Sequence, residues 1–278
     1  MSAKRAEFIR YVGAAVFAGF DGVEFGARRG LIFDARSVAA VLEGSGAVLS
    51  AVTVRGGWRD SDESESERAL ADHWITFASS FHSARVVLEQ VAGSDRSASR
   101  ERQSNAISCL AAVGRRAEAA GVRVTFCPDS AEGSLFRNMH DLERLFTGLG
   151  DAPVGYTPHL RHIAQNGMDA LDVIHTFRDR VDHVRLGAAA DVGSDVIDAE
   201  ATERARVVAY LAHTGFTGWF VMDCWDTDPL ANREGEIQSA GHYVKERLAP
   251  LIMEAQRARA EEAAAGPAPE SPHRPNRE

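Results

Sequence analysis

The 278-residue chain is long enough for one large α/β barrel or two small domains. Its content of 45% hydrophobic and 26% charged residues suits a globular protein with a full core. A formal net charge of -9 argues against a nucleic-acid backbone or an anionic lipid surface as main partner, since both reward clustered Lys and Arg.

In chain order, the sequence opens on a helix whose apolar face is Phe8, Ile9, Val12 and Val16. Short runs rich in Val and Phe follow at 22–25, 48–55, 85–91, 122–128, 154–158, 183–187 and 219–224, and these read as strands buried on both faces. Helical spacing separates them. Leu70, Trp74, Phe77 and Phe81 share one face, as do Ile107, Leu110 and Val113, with Gly121 placed to cap. Met139, Leu142 and Leu145 mark another helix, Leu171, Ile174 and Phe177 the next, and Ile237, Ala240, Val244, Leu248 and Leu251 the last. The acidic, serine-rich stretch 61–67 reads as a solvated loop or helix start.

This alternation predicts an α/β fold, a (β/α) TIM-type barrel over residues 1–258. Seven strands and eight helices are read, so the first strand of a standard eightfold barrel is missing. Its absence leaves two strand edges for a loop or for a homo- or hetero-oligomeric partner to cover. Residues 259–278, poor in core residues, are expected to be a disordered tail. Cys109, Cys127 and Cys224 are odd in number and lack CxxC spacing, which suits a reducing cytoplasm. No run approaches the roughly 20 apolar residues of a membrane span, and the N-terminus has no leader-like apolar run.

In parallel barrels the functional groups stand at the C-terminal strand ends. Those positions hold Glu24, Arg55, Glu89, Cys127, Asp129, His159, His162, Arg185, Asp223, Cys224 and Trp225. The histidines titrate near neutrality and suit acid–base work. Asp129 reads either as a ligand for a substrate hydroxyl or as the cap of a loop turn. Glu24 reads as a substrate contact or as the ion-pair partner of Arg55 or Arg28. Trp58 and Trp225 read as an apolar wall for a ring or as rim packing. His73, His82, His140, His175 and His213 fall on predicted helices or helix ends and read as structural or solvent-facing.

Ala18-Gly19-Phe20-Asp21-Gly22-Val23-Glu24 resembles a signature of the xylose isomerase-like sugar phosphate isomerase/epimerase superfamily. Residues 117–122, 154–169, 179–186 and 215–219 resemble later motifs of that superfamily in the same order. The resemblance implies four metal ligands, Glu, Asp, His and Glu. At the matching positions this chain has Cys127, His159, Arg185 and Asp223, while a second, substrate-handling histidine is kept as His162. Arginine has no lone pair for a metal. The expectation is therefore a cofactor-free site in which Arg185 stabilises an oxyanion and His159, His162 and Asp223 move protons. Glu24, Arg55, Glu89, Cys127, Asp129 and Trp225 would contact a small-molecule substrate.

The reaction implied is isomerisation, epimerisation or elimination next to a carbonyl, on a polyhydroxylated or natural-product-like compound of a biosynthetic pathway. Two alternatives stand beside it. One is an inactive barrel kept as a binding or partner subunit. The other is a metal enzyme holding Zn, Mn or Fe through Cys127, His159 and Asp223.

Overall fold

The computed structural model describes residues 3–26, 34–58, 63–93, 96–188, 197–223 and 233–265. Along them run α1 (Ala3–Phe17), β1 (Gly22–Gly26), α2 (Ala35–Ser45), β2 (Val48–Gly56), α3 (Glu65–Ala78), β3 (Arg85–Gln90), α4 (Ser99–Ala119) and β4 (Arg123–Cys127). Then come α5 (Met139–Leu149), β5 (Val154–Tyr156), α6 (Leu160–Gln165), α7 (Ala170–Thr176), β6 (His183–Ala188), α8 (Ile197–Thr214), β7 (Trp219–Asp223) and α9 (Arg233–Tyr243). A π-helical turn, Val244–Leu248, carries α9 into α10 (Ala249–Ala265).

All seven expected strands form, and each pairing between them is parallel. β1 to β5 make one sheet in chain order, and β6 pairs with β7. Single bridges from Tyr156 to Val181 and from His159 to Arg185 join the two sheets. Among the described residues no strand pairing joins β7 to β1, so the barrel wall is open where its first strand would stand. At that opening Trp219 lies close over Gly22, where an added Cβ would meet its ring at 3.2 Å. Outside the opening α9 packs tightly on α1, since a Cβ on Gly241 would come within 2.3 Å of the Ala18 carbonyl oxygen.

The helices start where the sequence supplies caps. Asp34, Ser64, Asn138 and Asp169 each accept a hydrogen bond from a backbone N–H of the first turn, and Ser64 forms a full capping box with Glu67. The described part of that stretch, residues 63–67, thus leads into a helix whose first turn holds Glu65 and Glu67. Glu67 also accepts the N–H groups of Gly57 and Trp58, at 2.9 and 2.8 Å, tying the end of β2 to α3.

Alternation along the strands separates two interiors. Val52, Val54, Val86, Leu88, Val124 and Phe126 face the helices and join the main core. Ala51, Val87 and Cys127 form a second cluster on the barrel axis. At the base of the axis the buried Arg85 holds Asp182 at 2.5 and 2.8 Å, and Arg123 reaches the same carboxylate at 2.9 Å.

Two expectations need correction. The C-terminal helix continues to Ala265 and so takes in residues 259–265, expected to begin a disordered tail, because they consist of Ala, Glu and Arg, all good helix formers. Residues 266–278 lie outside the described residues. The second concerns α6, a helix absent from the sequence reading, which His159 precedes as N-cap and on which His162 lies.

Candidate functional site at the barrel mouth

Arg185 points along the axis and is 1% exposed. Its NH1 donates to Glu89 Oε2 at 2.8 Å and lies 3.9 Å from Cys127 Sγ. Its NH2 donates to Glu24 and, at 2.5 Å, to Thr53 Oγ1. Glu24 also accepts from Thr53, and from His183 Nε2 at 2.7 Å. The other oxygen of Glu89 meets Arg55 Nε at 2.7 Å, and the Arg55 side chain remains 56% exposed. A chain of alternating charge thus runs from Glu24 through Arg185 and Glu89 to Arg55.

The environment sets the protonation states. Burial disfavours the Glu24 anion, yet Arg185 and His183 overcome it and hold the carboxyl far below the usual carboxylate range. Burial works against the Arg185 cation too, and Glu24 leads the anions that raise its pKa well above the ordinary value. Burial pushes the Cys127 thiol up strongly, with Arg185 opposing, so the sulfur is held as S–H.

A second group sits beside this chain. His159, the N-cap of α6, has Nε2 3.0 Å from Asp223 Oδ2, at an angle that forms no hydrogen bond to that oxygen. His159 Nδ1 is buried without a partner. His162 stands three residues further along the helix, and the two rings stack at 3.9 Å with an 11° tilt. His162 Nδ1 is 3.1 Å from the Pro128 carbonyl, an interaction that requires Nδ1 to carry the proton and leaves Nε2 as the acceptor. Burial, then the neighbouring His159, lowers the His162 pKa to about 4. A cavity of about 10 Å³, room for one water, is lined by Pro128, Asp129, His159, His162 and Asn166 among others.

The sequence-predicted site residues therefore divide. His159, His162 and Asp223 come together. Arg185, Glu24, Glu89, Cys127 and Arg55 meet as well, but as a neutralised ionic chain. Glu24 pairs with Arg185 and His183 rather than with Arg55, while Arg28 lies outside the described residues. Asp129 accepts from Ala92 N at 3.2 Å and Ala131 N at 3.1 Å, which is the loop-cap role. Trp58 is buried, in a left-handed conformation (φ 42°), and folds against Gly56, so it packs the rim. Trp225 and Cys224 lie outside the described residues.

Among the described residues Cys127, His159 and Asp223 form no three-ligand group. His73, His82, His140 and His175 are exposed, while His213 is half-buried. Sequence reading missed Thr53 and His183. Both sit on the alternation that points Arg55 and Arg185 inward, and that pattern was the available signal.

Residues 12–247 match the family described as xylose isomerase-like TIM barrel. The chain belongs to that family. The likeness extends to solved structures. An L-ribulose 3-epimerase is 17% identical with a TM-score of 0.67, covering 97% of this chain and 94% of its own. A 3-keto-D-glucoside 4-epimerase from E. coli is 15% identical with a TM-score of 0.68, covering 88% and 95%. A probable 3-DHS dehydratase from Bacillus anthracis is 13% identical with a TM-score of 0.65, covering 86% and 94%. At such identities the likeness is one of fold. No curated protein matches the chain. Among the described residues no helix is long and apolar enough to cross a membrane.

Proposed function

We propose that this chain is an isomerase, epimerase or lyase that moves a proton next to the carbonyl of a small polyhydroxylated or natural-product-like substrate, in the cytoplasm and with no bound metal. The observation that carries the reading is the His159–Asp223 pair with His162 stacked on it at the C-terminal mouth of the barrel. The two epimerases and the probable dehydratase sharing the fold support the reaction class.

His162, neutral at pH 7, offers Nε2 as the base that takes the proton beside the carbonyl. His159, held against the Asp223 carboxylate, is the group that hydrogen-bonds the oxygen as it gains charge. The same proton returned to carbon gives an isomer or epimer, and its delivery to a departing hydroxyl gives elimination.

The residues at the family's ligand positions do not suit a divalent ion. Arg185 places a fixed cation between Glu24 and Glu89, and a guanidinium has no lone pair to give a metal. No proton transfer is routed through a metal.

Incubation with a panel of ketoses and hydroxy-ketones in D2O, read by NMR, tests the proposal. Deuterium wash-in is expected for the wild type and a loss of about 100-fold or more for H159A, H162A and D223N, each still folded by circular dichroism. Equal wash-in by H159A and the wild type rejects the site. A stoichiometric metal, lost in H159A, rejects the metal-free reading.

The open wall favours a second reading. β1 and β7 are largely half-buried while β3 is fully buried, as a barrel completed by another chain would be. Absence of wash-in across the panel, with a concentration-dependent oligomer or a co-purifying partner in sedimentation, supports the partner-subunit role.

A further inference from the structure

Along the chain from Glu24 through Arg185 and Glu89 to Arg55, acid and base alternate in equal number. Glu24 and Glu89 supply two negative charges, Arg185 and Arg55 two positive ones. The Arg185 guanidinium lies between carboxylates from two non-adjacent strands, with NH1 on Glu89 and NH2 on Glu24 and Thr53. A planar fork reaching two separate acceptors matches guanidinium geometry, whereas an ammonium or a bare ion has no such fork. The acidic and thiol groups are spread around that fork, and among the described residues no three His, Cys, Asp or Glu side chains stand at metal spacing.

We infer that the barrel axis is a built cation site selective for a guanidinium group, formed by Glu24, Glu89 and Thr53 and filled in the native chain by Arg185 itself. Arg185 is then a positioning residue. It fixes Glu24 and Glu89, and through Glu89 it fixes the exposed Arg55 at the mouth. Its charge is used within the protein and is not free for a substrate oxygen. Removal of the side chain leaves two buried carboxylates around a space the shape of the missing group. A small soluble guanidinium ion fits it.

The inference deepens the metal-free part of the proposed function and is independent of the acid–base part. The D2O exchange experiment on H159A can fail while this one succeeds, and the reverse.

The test is thermal unfolding of R185A with 10 to 50 mM guanidinium chloride, against ammonium chloride and MnCl2 at equal ionic strength. R185A is expected to unfold about 10 °C below the wild type. Guanidinium is expected to restore a clear part of that loss in a saturable way, with no rise for the wild type. The triple variant E24Q/E89Q/R185A is expected to lose the guanidinium response and to unfold above R185A in its absence.

Equal restoration by ammonium or Mn2+, no restoration by guanidinium, or a response retained in the triple variant overturns the inference. If R185A aggregates on isolation, refolding with guanidinium or with ammonium decides. Soluble protein from the guanidinium arm alone supports the site, and aggregation in both arms, or recovery in both, overturns it.

Discussion

At the residue scale, His162 is the group whose environment makes the sharpest solution prediction. Burial and His159 lower its pKa from 6.5 to about 4. Above pH 6.5 the folded and unfolded chains both carry it neutral, and it contributes no pH dependence. Between pH 6.5 and about 4 the unfolded chain takes up a proton that the folded chain refuses, so stability falls as the solution is acidified. The loss from this group approaches about 3 kcal/mol at its limit. Urea unfolding at pH 7 and pH 4.5 is expected to show a smaller drop for H162Q than for the wild type; an unchanged drop means the imidazole is not held neutral.

Much of the mouth was readable from strand ends alone, because each of His159, Asp223 and Arg185 closes or follows a recognisable apolar run. What those groups do to one another was not. Glu24 and Arg185 are 161 residues apart, and their pairing depends on strand register and on the direction of one side chain, neither of which the local sequence encodes. Hence Arg185 reads in the sequence as a free cation for an oxyanion, while the fold shows it bound to two carboxylates.

At the element scale, the two sheets are held together by ionic contact as well as backbone pairing. Arg85 on β3 reaches across the base of the axis to Asp182, the residue before β6, and Asp182 also accepts the Trp219 N–H that starts β7. Arg85 is buried, so its removal leaves the carboxylate, among the described residues, with the exposed Arg123 as its one ion-pair partner. R85A is expected to cost about 3 kcal/mol in unfolding free energy while leaving deuterium exchange at 25 °C within twofold of wild type. Loss of exchange in a folded R85A protein would mean that the base and the mouth are coupled. The strands themselves were legible because seven short Val- and Phe-rich runs stand apart from helical spacing. The six-residue α6 was not, since Leu160–Gln165 is too short to show a period and its start lacks a capping side chain.

At the scale of the whole molecule, no strand pairing among the described residues joins β7 to β1, and helices pack over that gap. α1 and α9 meet across the opening, and the contact has no room at Gly241. G241A is expected to destabilise the fold by about 2 kcal/mol through overpacking. G13A on the same α1 is the control: its Cβ meets nothing within 4 Å, and replacing a helical glycine there is expected to add about 0.5 to 1 kcal/mol. Thermal melts of both variants check the pair, and a G241A melt equal to wild type would show that the helices are not what holds the opening.

The axial chain of charges also constrains how such a sequence can change over time. Glu24, Thr53, Glu89 and Arg185 come from four strands encoded far apart, yet losing any one strands a charge or a hydroxyl inside the protein. Selection therefore sees them as a unit. In an alignment of descendants these four columns would vary in concert, with an arginine at the last accompanied by both acids. Chimaeras spliced between β3 and β6 would take Glu24, Thr53 and Glu89 from one parent and Arg185 from the other, and fold only when the parents agree.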